Sequence, residues 1–264
     1  MRLLLARLRC ARGMGKGRGM LQFETTQVVY LASAAFVAAM VRGFSGFGSA
    51  LIYLPFAAQV LSPFQALTTL VIFDLLGPLP ILRQAWRDCD PRDLRRLLAG
   101  LILGLPIGLW VLTLVAPEVF RYAVSCVALF MVACLVLGLR YRGTLSPPLV
   151  FGTGGLSGFL QGVAGIPGPP VILLYMASTR PAAAIRANML LFLVATDLIL
   201  LPMLALFGRF DPTAVLLGVL LILPTMAGSL AGAKLFQPRL EPVYRAVAYA
   251  IITAAAVSAL PLWG

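Results

Sequence analysis

Residues 43–55 read GFSGFGSALIYLP and residues 162–176 read GVAGIPGPPVILLYM. Both put glycines, and the second also prolines, into otherwise continuous apolar sequence. A backbone surrounded by lipid needs every amide partnered, so irregular chain at membrane depth survives only where it is buried in protein or lines a wet cavity. Glycine permits the turn, while Pro167, Pro169 and Pro170 lack an amide donor and suit the first turn of a new helix. Each stretch therefore reads as the end of one half-helix and the start of another, with N–H groups and a positive dipole end aimed into the protein.

The surrounding composition supplies the lipid. Of the 264 residues, 61% are hydrophobic and 11% charged, and the mean hydropathy is +0.97. So few charges cannot cover a soluble domain of this size. A bilayer core of roughly 30 Å takes about 20 helical residues per crossing, which allows about eight crossings. The net charge of +12 sits at helix ends without aromatic interleaving, so it reads as membrane orientation and no nucleic acid is expected. The chain has no histidine, which removes the usual general base and the commonest metal ligand. Cys10, Cys89, Cys126 and Cys134 show no CxxC spacing and read as unpaired thiols. No catalytic residue, cofactor or metal is expected.

The fold class expected is an all-α integral membrane protein. A basic tail at 1–22 lacks the apolar core and cleavage site of a signal peptide; it is expected in the cytoplasm, with Met14 or Met20 as alternative starts. A first repeat covers 23–145, with a broken segment near 26–61 and spans near 64–82, 95–115 and 119–139. A second covers 146–264, with a broken segment near 149–179 and spans near 185–207, 213–233 and 243–262. The match between them holds residue by residue. Gly43 and Gly46 correspond to Gly162 and Gly165, Asp74 to Asp197, Asp90-Pro91 to Asp211-Pro212, and Pro106 to Pro224. A duplication of this length suits a transporter half.

Counting each broken segment as one crossing gives eight crossings in two parallel repeats, the reading preferred here. The tail and the arginines at 83, 87, 92, 95 and 96 then lie inside, but Arg180, Lys234 and Arg239 face out. Re-entrant hairpins would instead invert the second repeat.

Free N–H groups at helix starts suit an anion, although glycines also let membrane helices pack closely. The substrate-binding residues expected are Gly43, Ser45, Gly46, Gly48, Ser49, Gln161, Gly165, Gly168, Arg186 and Asn188. Arg186 offers a planar fork to an oxyanion, with snorkelling to the interface as the alternative. It stands about 16 Å along the helix from Asp197, too far to pair with it. Arg42 directly precedes the first break. Asp74 and Asp197 sit within spans, where a carboxylate is costly and is either functional or locked in an ion pair; they are the candidate coupling groups. The smaller polar residues Thr68 and Thr69 gather near the first break.

GFSGFGSALIYLP opening the first half, GVAGIPGPPVILLYM opening the second and RANMLLFLVATD at 186–197 together resemble the sulfite exporter TauE/SafE family, over about residues 25–262. The resemblance implies a bacterial inner-membrane permease, a secondary carrier for small sulfur-containing anions such as sulfite or sulfonates, coupled to an ion gradient. Many members carry a glycine where this chain has Pro169, which leaves fewer backbone donors in the second break. The expected partners are a small anion and the bilayer, with a homo-oligomer left open. Two other classes stay open at this point. One is a structural membrane subunit serving a neighbouring transporter; the other is an intramembrane enzyme built on the two aspartates, since neither HExxH nor GxSxG occurs.

Overall fold

The computed structural model describes residues 24–45, 48–76, 82–138, 145–175, 181–235 and 241–260. The basic tail and Gly46 lie outside the described residues. Within them are eleven helices and no strand. The first half holds α1 (Thr25–Ser45), α2 (Ser49–Val60), α3 (Pro63–Leu76), the short α4 (Leu82–Asp88), α5 (Pro91–Leu114) and α6 (Pro117–Val136). The second holds α7 (Pro147–Ala164), α8 (Gly168–Tyr175), α9 (Ala182–Leu206), α10 (Pro212–Leu235) and α11 (Glu241–Ala259). Five of these are long and apolar enough to cross a membrane: Thr25–Gly43, Pro91–Leu114, Pro117–Val136, Ala183–Leu206 and Pro212–Gly232. The protein is an all-helical, multi-pass membrane protein.

Local chemistry sets the helix ends. Proline stands at the first position of α3, α5, α6, α7 and α10, where its missing N–H costs nothing. The carboxylate of Asp90 caps α5 by accepting from the N–H groups of Arg92 and Asp93, and Asp211 accepts from the N–H of Thr213 at the start of α10. Both breaks turn on left-handed glycines. Gly48 precedes α2 at φ 100° and Gly165 ends α7 at φ 69°, a backbone region other residues rarely enter. A Cβ on Gly165 would also run into the side chains of Leu54 and Leu67.

The breaks are hairpins. The ring of Tyr30 in α1 meets that of Phe56 in α2 edge-on, with centroids 6.0 Å apart; along one continuous helix the two would stand about 39 Å apart. Helix α2 therefore doubles back along α1. Likewise Tyr175, at the end of α8, shares a core with Val150 near the start of α7, so α8 folds back beside α7. This corrects the expectation that each broken segment crosses once.

Contacts between helices then fix their directions. Gly228 and Gly232 of α10 abut Phe36 and Met40 of α1 in the same order, so these two helices run parallel. Helix α3 runs with them, because Gln65 donates to Asp211 at 2.7 Å and Gly218 lies against Thr69 and Ile72. Helix α9 opposes α3: the Arg209 guanidinium, just past its end, lies over the Phe64 ring at 5.1 Å, while Asp197 lies within electrostatic reach of Asp74. Helices α9 and α5 start together, with the Asp90 N–H donating to Asn188 at 2.8 Å. Helix α7 runs with α5, since Gly100, Gly104 and Gly108 meet Phe151, Gly155 and Phe159 in turn. Helices α1 and α7 are thus antiparallel, and the two sequence repeats are inverted where parallel ones were expected. The start of α1 and the arginines beside Asp90 consequently lie at opposite ends.

Each half lends its long third helix to the first helix of the other. Between α5 and α7 the glycines stand so close that a Cβ on Gly104, Gly154 or Gly162 would overlap backbone of the facing helix. Small residues allow such approach where no hydrophobic drive separates helix from lipid. The larger core joins α1, α2, α3 and α6 to the distal parts of α5 and α9, to the first half of α10 and to α11. The smaller joins α4 to the starts of α5, α7 and α9 and to α8.

Candidate functional site

Three helix ends of the first half converge on one cluster. Arg42 comes from the last turn of α1, Ser49 opens α2 and Asp74 lies in the last turn of α3; the α1–α2 hairpin and the return of α3 bring them together. Arg42 Nη1 donates to Asp74 Oδ1 at 2.5 Å. Ser49 Oγ donates to Asp74 Oδ2 at 2.8 Å and lies 3.5 Å from Arg42 Nη1, the outer limit of a hydrogen bond. Below them Tyr53 donates to Thr69 Oγ1 at 2.9 Å and stacks edge-on against Phe73 at 4.9 Å. That buried pair locks α2 against α3 and so fixes Ser49 relative to Asp74.

Asp197 approaches from α9, about 22 Å from the start of that helix and about 14 Å from its end. Electrostatically it meets both Asp74 and Arg42, and among the described residues it is half-buried. The pair itself keeps side-chain exposures of 27% for Arg42 and 16% for Asp74. These charges are thus only partly buried.

The second break contributes differently. Gln161, in the last turn of α7, is fully buried, and its Oε1 has no hydrogen-bond partner; one turn earlier, Ser157 Oγ is equally buried and unpartnered. Buried polar atoms are nearly always satisfied, so this helix end holds unused hydrogen-bonding capacity.

Other expected residues lie elsewhere or in supporting positions. Arg186 is exposed near the start of α9, eleven residues before Asp197. Asn188 is buried beside it, where it accepts from the Asp90 N–H and donates to the Tyr175 hydroxyl at 3.0 Å. Gly43 lies against Gly232, Gly48 and Gly165 make the turns, and Gly168 opens α8. Ser45 ends α1, and its side chain is outside the described residues. Thr68 bonds the Phe64 carbonyl and Thr69 that of Ala66. Among the described residues no group of three metal-ligating side chains occurs, and Cys89, Cys126 and Cys134 are free thiols.

Among the described residues Arg42 stands in the cluster with Asp74 and Asp197, while Arg186 lies near the start of α9. The signal was present: counting back one residue from Gly43 and Gly162 aligns Arg42 with Gln161, which marks Arg42 as part of the break. Tyr53 and Tyr175 carried a weaker one, since each stands in the short helix after its break. Asp74, with both oxygens engaged, is poorly placed to share a proton directly with Asp197, as a catalytic aspartate pair would.

A profile described as sulfite exporter TauE/SafE matches residues 31–259. The chain belongs to the TauE/SafE family. Its members are membrane transporters of the sulfite or anion exporter type, and the match spans both breaks and all four cluster residues. No curated protein and no solved structure matches the chain. In this TauE/SafE protein the family frame thus holds Arg42, Ser49, Asp74 and Asp197 together inside the bundle.

Proposed function

We propose that this protein is a secondary carrier moving small sulfur-containing anions, sulfite or sulfonate-like, across a bacterial inner membrane, driven by an ion gradient. The observation that carries this reading is the partly buried Arg42 guanidinium held at the mouth of a broken helix. Both described contacts of that guanidinium run through Nη1, and the group has five donors on three nitrogens in a fork that fits an oxyanion. Ser49, the Gln161 amide and the backbone around Gly48 and Gly165 complete the anion's surroundings. Arg186 stands at the rim, where it would meet the anion before entry, and the Asn188 bond to Asp90 latches the two halves. The inverted hairpins favour alternating access, in which one half rocks against the other around the fixed cluster.

Purified protein in liposomes should take up labelled sulfite. Arg42→Lys keeps the charge but loses the fork, and uptake should drop about ten- to hundredfold, as expected for a lost charge-assisted hydrogen bond of 1.5–3 kcal/mol. Undiminished uptake in a folded Arg42→Lys protein would remove Arg42 from the site. Transport of carboxylates with no sulfite transport would overturn the substrate class.

A further inference from the structure

Two carboxylates in the interior share one guanidinium, and they do not share it equally. Asp74 is fully engaged, through Oδ1 by Arg42 and through Oδ2 by Ser49. The serine hydroxyl and the guanidinium thus occupy one oxygen each. Asp197, among the described residues, makes no hydrogen bond, and its charged neighbours are Asp74 and Arg42.

The duplication shows why Asp197 has no cation of its own. Gly43 and Gly46 correspond to Gly162 and Gly165, so the place that Arg42 holds before the first break is held by neutral Gln161 before the second. The helices packed against α9 add no other charge at that level. On α4, Arg83, Arg87 and Asp88 are exposed, and on α5, Asp93 and Arg96 pair near the helix start. All five belong to α4 or to the first two turns of α5, whose start meets α9 at Asn188, nine residues before Asp197. Helix α8 brings only Tyr175 and α7 only Gln161. With both aspartates ionised the cluster carries one positive and two negative charges; one proton makes it neutral.

We propose that Asp197 takes up and releases the coupling proton while Asp74 remains the ionised partner of Arg42, an inference that rests on the carrier reading above. A proton from the aqueous phase binds a carboxylate oxygen of Asp197, and only then does the cluster accept an anion. Without that proton, three negative charges would face one guanidinium. Anion and proton therefore bind together and leave together, so anion affinity rises as pH falls. A sodium ion is a poor substitute, because it needs several oxygen ligands; those of Asp74 are taken, and the adjacent guanidinium repels it.

Two measurements test this. In liposomes, an inward proton gradient should drive accumulation of labelled sulfite, whereas a sodium gradient should not. Asp197→Asn should still exchange labelled for unlabelled sulfite but lose gradient-driven accumulation and the rise of uptake at low pH. Gln161→Arg, which supplies the missing guanidinium, should flatten the pH profile in the same way. Proton-driven accumulation by Asp197→Asn, or sodium-driven accumulation by the wild type, would overturn the assignment; absence of any exchange by the wild type would instead strike the carrier reading itself. Independently of transport, the wild-type protein at neutral pH should show the infrared carbonyl stretch of a protonated carboxyl group, absent from Asp197→Asn. Persistence of that band in the variant would place the proton elsewhere.

Discussion

Gln65 and Asn188 are single amides, each tying one half of the molecule to the other. Gln65 stands nine residues before Asp74 and bonds Asp211; Asn188 stands nine residues before Asp197 and bonds the Asp90 N–H. The sequence showed Asp90 and Asp211 as equivalent helix starts, because an aspartate before proline is a recognisable cap. Their partners were not legible, since a polar residue at the end of an apolar span has many uses and pairing across repeats needs three-dimensional proximity. Burial pushes the Asp211 carboxyl up, but hydrogen bonds from Thr213, Gln65 and the backbone of Thr213 and Ala214 outweigh it, leaving the group below its ordinary value. The folded value is thus lower than the unfolded one. The stabilisation is complete above the unfolded aspartate range and is lost as pH falls through the lowered folded value. Removing a donor in Gln65→Ala should raise the folded value, so that the acid loss is smaller and is complete at higher pH. Melting curves in detergent between about pH 2 and 5 should separate the two proteins; curves that stay parallel would show that Gln65 does not hold Asp211 down.

At the scale of elements, the short helices were the hard part. Glycine-rich breaks, proline at helix starts and the duplicated frame were all readable, and the observed bounds of α5, α6, α9, α10 and α11 fall within a few residues of the expected spans. The hairpins stood only as the alternative because a break in a span and a turn between a span and a half-span share the same residues. Length decides between them: α1 has 21 residues, about 31 Å of helix, and so already crosses alone. Helix α2 must then return. Glycine packing was weighed only at the breaks, yet the glycines of α5 and α7 are the ones that pack: a Cβ on Gly104 would overlap the Gly155 carbonyl and one on Gly158 that of Leu101. Gly158→Leu should cost about 3 kcal/mol or more through overpacking, a fall of roughly 6–12 °C in Tm for a chain of this size. Gly152→Ala, on the same helix with nothing within 4 Å of its Cβ position, should change Tm little. Equal losses in the two variants would mean that the α5–α7 contact does not set the effect.

For the whole molecule, inversion resolves the charge pattern that parallel repeats left untidy. Arg83, Arg87, Arg92, Arg95, Arg96, Arg186 and Lys234 gather at the end where α5, α7 and α9 start and α10 finishes, while Arg121 and Arg209 lie at the other. Lys234, which parallel repeats put on the wrong side, now joins the arginines. Basic residues close to span ends set orientation, so the end bearing Arg83 to Arg96 should face the cytoplasm. The start of α1 should then face outward, against the expectation that the chain enters from inside. Cys89 reports on the first end and Glu24, exposed at the start of α1, on the other. With the remaining cysteines replaced by alanine, Cys89 should react with a membrane-impermeant maleimide in inverted vesicles and stay unlabelled in intact cells. In a cysteine-free chain carrying Glu24→Cys the order should reverse. Labelling of both positions from one side would contradict the hairpins, because the two share a face only if an even number of crossings separates them, as when the broken segment crosses once. Reversal at both positions would keep the inverted fold and turn the molecule over, so that the six basic residues of the tail, and not the seven at the α5 end, set its orientation.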